Sequence, residues 1–280
     1  QPYSNGKTNQ LFLSQGTVNN AANSYNYNQI ANNFMTYSFY VFLSFVPSLI
    51  WLGFYLRKDK HPEPNSMVIK VFIWGMLLAP LAIVLELFLI WLLNPTVNPL
   101  NVLSTRLENG FLKTIFIAAL IPALVEEYLK YSAVKRKVIK SPEFDEPVDA
   151  MLYCIITALG FAAVENSLIL FRPPLMPLNQ ALSTTVFRFL GATFVHALAS
   201  GLVGYWLALS ILKISKRKRL IFTGLFLAII FHAGYNYLVV TASGTAKNAT
   251  LFIVLLLIVM AIIVSYNFKK LKKLAAVCKV

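Results

Sequence analysis

Residues 111–134 read FLKTIFIAALIPALVEEYLKYSAV, an apolar run that carries Glu126, Glu127 and Lys130 in its second half. A membrane-spanning helix needs roughly 20 predominantly apolar residues. An ionised side chain inside one costs at least a few kcal/mol unless it has a partner. Two adjacent glutamates in such a run therefore call for partners on other helices. Glu165, His196 and His232 each lie in a different apolar run of their own.

The composition sets the frame. The chain has 280 residues, of which 58% are hydrophobic and 13% charged, and its mean hydropathy is +0.65. That is more apolar surface than a soluble domain of this size can bury, so an all-α polytopic membrane protein is expected. Seven runs are of spanning length, at about 37–56, 67–93, 111–134, 149–171, 181–212, 220–240 and 249–268, which predicts about seven transmembrane helices.

The net charge of +14 raises the question of nucleic acid, but the basic residues cluster at the ends of apolar runs, where they meet anionic head groups. The expected partner is the lipid bilayer, not a nucleic acid. Arg57, Lys58 and Lys60 follow the first run, Lys135 to Lys140 the third, Lys213 to Arg219 the fifth and Lys269 to Lys273 the last. The other connections hold only Arg106, Arg172 and Lys247, so the positive-inside rule predicts an N-out, C-in orientation. Residues 1–36, rich in Asn, Ser, Gln and Tyr with Lys7 the only charge, are expected to form a flexible external arm. The transmembrane domain is expected over 37–268 and a basic cytoplasmic tail over 269–280. The loop from Leu93 to Glu108, punctuated by Pro95 and Pro99, is a candidate for a short interfacial helix. Cys154 lies mid-run and Cys278 in the basic tail, so no mutual disulfide or cysteine metal motif is expected.

The ionisable residues carry the functional reading. Lys130 follows Glu126 by four residues and Glu127 by three, so it can reach either carboxylate from the same helix face. One glutamate is then neutralised and the other is left free, and mutual repulsion suits the pair to general-base work. A structural ion pair is the plainer alternative. Glu165 follows Gly160-Phe161-Ala162-Ala163-Val164, small residues that let helices approach closely. It has to face protein or water, and an interhelical hydrogen bond alone would satisfy it. Arg188, two turns before His196, is a candidate counter-ion for Glu165 or Glu86. His232 and Asn236 share a helix face at i, i+4, an arrangement suited to holding an oxyanion.

Depth tests whether these groups can meet. At about 1.5 Å of rise per residue, Glu126 lies about 13 Å, His232 about 20 Å and Glu165 about 24 Å from the cytoplasmic surface. Straight helices starting at one level therefore miss closure by about 10 Å. Tilt or a later start of the fourth helix would absorb the gap.

The segments DKHPEP at 59–64, EEYLK at 126–130, DEPVDAMLYCIITALGFAAVEN at 145–166, FVHALASGLVGY at 194–205 and FHAGYN at 231–236 resemble, in this order, the PrsW family of intramembrane proteases. That family is distantly similar to the type II CAAX prenyl endopeptidases, which share the double-glutamate helix and a later HxxxN helix but carry His in the place of Glu165. The resemblance implies a multi-pass protein of the bacterial cell membrane that hydrolyses peptide bonds of a single-pass membrane protein such as an anti-sigma factor. It also implies the catalytic set Glu126, Glu127, Glu165, His196, His232 and Asn236.

A water activated by the glutamate pair, with His232 and Asn236 on the oxyanion, needs no cofactor. The alternative is zinc held by Glu165, His196 and His232; no HExxH is present to favour it. Two other classes also fit buried acids and imidazoles: a proton-coupled transporter, for which the chain shows no internal repeat, and a scaffold binding membrane partners through small-residue faces.

Overall fold

The structure is a computed structural model that describes residues 34–59, 61–93, 119–242 and 248–278. Every long regular element among the described residues is an α-helix: α1 (Phe34–Leu56), α2 (Asn65–Leu93), α3 (Ile121–Lys137), α4 (Pro147–Leu170), α5 (Leu178–Leu190), α6 (Ala192–Leu212), α7 (Arg217–Ala242) and α8 (Ala249–Cys278). Six described spans are long and apolar enough to cross a membrane, with α5 and α6 forming one of them. The third apolar run is described only from Ala119 onward, where it contains α3. Of the arm expected over 1–36, residues 1–33 lie outside the described residues and 34–36 open α1; the interfacial helix expected after Leu93 also lies outside them.

The chain divides into two compact units, Gln1–Leu43 and Ser44–Val280. Of the first, the described part is the opening half of α1. Every site residue discussed below belongs to the second.

Burial sorts the helices of that unit. In α4, 89% of the apolar span is buried, against 17% in α2 and in the span holding α7, and 22% in α8. α4 is therefore the central post. The large exposed side chains of α2 (Ile69, Ile73, Leu77, Val84), α7 (Phe222, Phe226, Ile230) and α8 (Leu251, Leu255, Ile262) form the face that lipid covers.

Glycines set how closely the post is approached. A Cβ on Gly75 of α2 would lie 2.0 Å from the Thr157 carbonyl oxygen, and one on Gly160 of α4 would lie 2.0 Å from the Phe72 carbonyl oxygen. The two backbones touch at this crossing. Gly204 of α6 meets α4 in the same way, its Cβ position 2.4 Å from the Met151 Cα. Packing between small residues is the main attraction available to helices in lipid, since apolar burial drives little there.

The start of α4 follows from EFDEPVD at 143–149. Pro147 occupies the first turn, where its missing N–H costs nothing. Glu146 and Asp149 form a capping box, in which Asp149 Oδ2 accepts from the Glu146 N–H at 2.7 Å and the Asp145 N–H at 3.0 Å. Tyr153 donates to Glu63 from the loop before α2, and His61 Nδ1 lies 2.9 Å from Glu146 Oε1. This end of α4 is thus packed inside protein, with Val148, Asp149 and Ala150 all buried. Glu165 and Glu126 both reach the His196 ring despite the mismatch of about 10 Å expected from counting.

The run 181–212, which reads as a single span, breaks at Gly191, where φ is −112° and ψ −93°. The Tyr235 hydroxyl packs 2.4 Å from where a Cβ would be, so a side chain at Gly191 would strike it. The bend leaves Arg188 on α5 and His196 on α6.

Candidate active site

Four helices bring the expected residues together. Glu126, Glu127 and Lys130 come from α3, Glu165 from α4, His196 from α6 and His232 from α7. Glu126, Glu127, Lys130, His196 and His232 are all buried, and Lys130 is only 1% exposed.

Lys130 reaches both glutamates. Its Nζ lies 3.1 Å from Glu126 Oε2, 3.0 Å from Glu127 Oε1 and 2.9 Å from His196 Nδ1. An ammonium carries three N–H groups and no lone pair, so these three acceptors satisfy it fully. The Phe161 ring adds a cation–π contact, its centroid 4.3 Å from Nζ.

That geometry fixes the imidazole tautomers. His196 Nδ1 faces a group that can only donate, so it keeps its lone pair and the proton sits on Nε2, which donates to Glu165 Oε2 at 2.7 Å. His232 Nδ1 lies 3.0 Å from Glu127 Oε1, a pure acceptor, so Nδ1 carries the proton and donates. Its Nε2 lies 4.0 Å from Glu126 Oε2 and in the neutral ring holds a lone pair. The two rings stand edge to face, centroids 4.9 Å apart.

The two adjacent glutamates are not equivalent. Glu127 accepts from Lys130 and His232 at Oε1 and from Ser200 Oγ at Oε2, 2.9 Å away. Glu126 holds Lys130 at Oε2, while its Oε1 accepts no hydrogen bond from the described residues. Glu127 is committed to structure and Glu126 retains acceptor capacity.

Arg188 pairs with Glu165 and not with Glu86. Its Nη2 lies 2.9 Å from Glu165 Oε2, close enough for an ion pair, although no N–H points along that line. Its Nε donates to Asn166 Oδ1, and Asn166 Nδ2 donates to the Ser44 carbonyl at 3.1 Å and to Thr193 Oγ1 at 3.2 Å. The Glu165 side chain is 33% exposed, which puts it at the rim of the cluster. Asn236 stands one turn beyond His232 on α7 and is half-buried.

Sequence reasoning missed two contributors. Ser200 is four residues after His196 and so on the same face, but an isolated serine in a small-residue stripe reads as packing. Phe161 is four residues before Glu165, and only the packing of α3 on α4 reveals that its ring lies beneath Lys130.

A helical membrane protein with acids and imidazoles gathered from separate spans is the framework of an intramembrane hydrolase. Residues 63–265 match the family model described as "PrsW family intramembrane metalloprotease". The chain belongs to the PrsW family and is an intramembrane peptidase. It is similar to proteins named Protease PrsW from Geobacillus kaustophilus, with 27% identity over 72% of this chain and 80% of the relative. The relative from Clostridioides difficile is 26% identical over 82% of this chain and 89% of its own length, and that from Oceanobacillus iheyensis 28% over 76% and 88%. No solved structure matches.

The word metalloprotease asks whether the residues fit a metal. One donor atom each from Glu126, Glu127, His196 and His232 lie within 4.8 Å of one another, a set chemically suited to zinc. Glu165, a ligand only in the zinc alternative, is not in this set and binds the far side of His196. The set does not fit a metal as it stands, because the Lys130 ammonium already bonds three of its four members.

Proposed function

We propose that this peptidase cleaves single-pass membrane proteins, with Glu126 as the base that activates water. The observation that carries the reading is the inequality within the glutamate pair. Within the adjacent pair, Glu127 has both oxygens engaged and Glu126 only Oε2; Glu165 also keeps Oε1 unengaged among the described residues, but its Oε2 is held by Arg188 and by the far edge of His196.

The 4.0 Å between Glu126 Oε2 and His232 Nε2 is too long for a direct hydrogen bond, and both atoms are acceptors. A water there has one O–H for each. Glu126 takes one proton as the oxygen attacks the peptide carbonyl carbon. The C=O π bond becomes an oxyanion, and the amide assigned to it is that of Asn236, one turn from His232 on α7. Collapse of the intermediate breaks the C–N bond, and the proton held by Glu126 passes to the departing amine. His196 and Glu165 keep Lys130 and the base in register. No step passes through a metal.

The substrate class, a single-pass protein such as an anti-sigma factor, follows from the family resemblance, as does placement in the bacterial cell membrane. The rim position of Glu165 supports entry from the side of the bundle.

The test is reconstitution with single-pass peptides in vesicles prepared in 18O-labelled water. Two fragments with 18O in the new carboxylate are expected. Cleavage of unfolded soluble protein but of no membrane-spanning peptide would contradict the substrate class.

A further inference from the structure

We infer that Lys130 is the resident cation of this site and excludes a divalent metal from it. The inference rests on the reading of Glu126 as the base and concerns how that base is held. The four candidate ligands converge as a zinc site would, yet the atoms that would face the metal face an ammonium. Glu126 Oε2, Glu127 Oε1 and His196 Nδ1 each lie between 2.9 and 3.1 Å from Nζ.

A zinc ion needs such atoms at about 2.0–2.2 Å. Its bond to His196 would use the same Nδ1 lone pair that accepts from Lys130, and one lone pair cannot serve both. Metal entry therefore requires the ammonium to leave.

It has nowhere favourable to go. Lys130 is buried, packed on the Phe161 ring and satisfied by three acceptors, and moving it without a new partner strands a charge in an apolar interior. It is also carried by the same helix as the two glutamates, at i+4 and i+3, so the backbone returns it to the site faster than a dilute ion can arrive. The far nitrogen of His196 and the near nitrogen of His232 are each held by a carboxylate, Glu165 and Glu127. The Glu165–His196 contact is of the kind that supports a metal-binding histidine from outside the ligand set. Here it holds the ring beside an ammonium, which makes Lys130 a positioning residue of the reaction.

The experiment loads purified protein with Co2+, removes unbound ion, and measures bound cobalt by mass spectrometry and by its visible absorption. Wild-type protein is expected to bind no more than the His232→Ala variant. Lys130→Met is expected to gain about one equivalent with the spectrum of a tetrahedral N/O site, and Lys130→Met combined with His232→Ala to lose it again. Lys130→Arg, which restores a cation, is expected to stay metal-free. Wild-type protein holding one equivalent that His232→Ala removes would overturn the inference whether or not the lysine variants fold. Folded Lys130→Met that gains no cobalt would also overturn it. Failure of the Glu126 reading would appear separately, as peptide cleavage retained by Glu126→Gln.

Discussion

His196 Nε2 lies 2.7 Å from Glu165 Oε2, on the edge of the ring opposite Lys130. Each helix of the cluster thus holds the next: Arg188 on α5 faces Glu165 on α4, Glu165 holds His196 on α6, and His196 accepts from Lys130 on α3. The position where the CAAX-type enzymes carry His is here a carboxylate that orients an imidazole.

Removing that carboxylate should loosen the ring without unfolding the protein, because Glu165 is partly exposed. Glu165→Ala is expected to lower the cleavage rate on the order of 10- to 100-fold, the value of one charge-assisted hydrogen bond. Glu165→Gln, whose amide oxygen still accepts from Nε2, is expected to retain more. Initial rates on a membrane-embedded peptide decide between them, and equal activity in both variants and wild type would refute the relay.

Glu127 should matter more to the fold than Glu126. It is fully buried and joins Lys130, His232 and Ser200 from three helices. Breaking such a network leaves a buried charge short of partners, at about 3–5 kcal/mol. Thermal unfolding in detergent is expected to show Glu127→Ala well below Glu126→Ala. The reverse order would contradict the division of labour.

The α2–α4 crossing gives a packing prediction. Gly75→Ala and Gly160→Ala each drive a methyl into backbone, and overpacking of this kind costs about 1–3 kcal/mol or more. Gly53→Ala, with nothing within 4 Å of its added Cβ, serves as the control. The crossing variants should unfold at lower temperature and also lose activity, since Phe161 is carried on the same turn as Gly160. Stability unchanged in all three would remove the close-approach account.

Glu63 supplies a pH signature outside the spans. Burial raises its pKa above the ordinary carboxyl range, Asp59 and Asp145 push it the same way, and the Tyr153 hydroxyl and Asp149 oppose them. A carboxyl with a raised value binds its proton more tightly folded than unfolded. Stability is then highest below the unfolded value and falls as pH rises from there through the raised folded value. Melting temperature should therefore drop over that interval, and Glu63→Gln should flatten the drop. An unchanged slope would count against the shift.

Much of this was legible in the sequence because lipid makes ionisable residues conspicuous. Glu126, Glu127, Glu165, His196 and His232 stand out as polar groups in apolar runs, and the i+3 and i+4 spacings already put Lys130 beside both glutamates. Arg188 was readable as a counter-ion, though only coordinates choose Glu165. Which glutamate stays free was not legible, because that depends on Ser200 and His232 arriving from other helices. Nor was the break at Gly191, since an apolar run continues through it. The depth count mispredicted closure: counting from Asp149 and Lys135 set Glu165 and Glu126 about 10 Å apart, yet both reach the His196 ring.

The most direct test of the central claim is the single-turnover cleavage rate of a single-pass peptide by reconstituted wild-type and Glu126→Gln protein of equal thermal stability. Loss of the base is expected to slow the chemical step by about 100-fold to 10,000-fold with substrate binding unchanged. A Glu126→Gln rate within a few-fold of wild type would contradict the account.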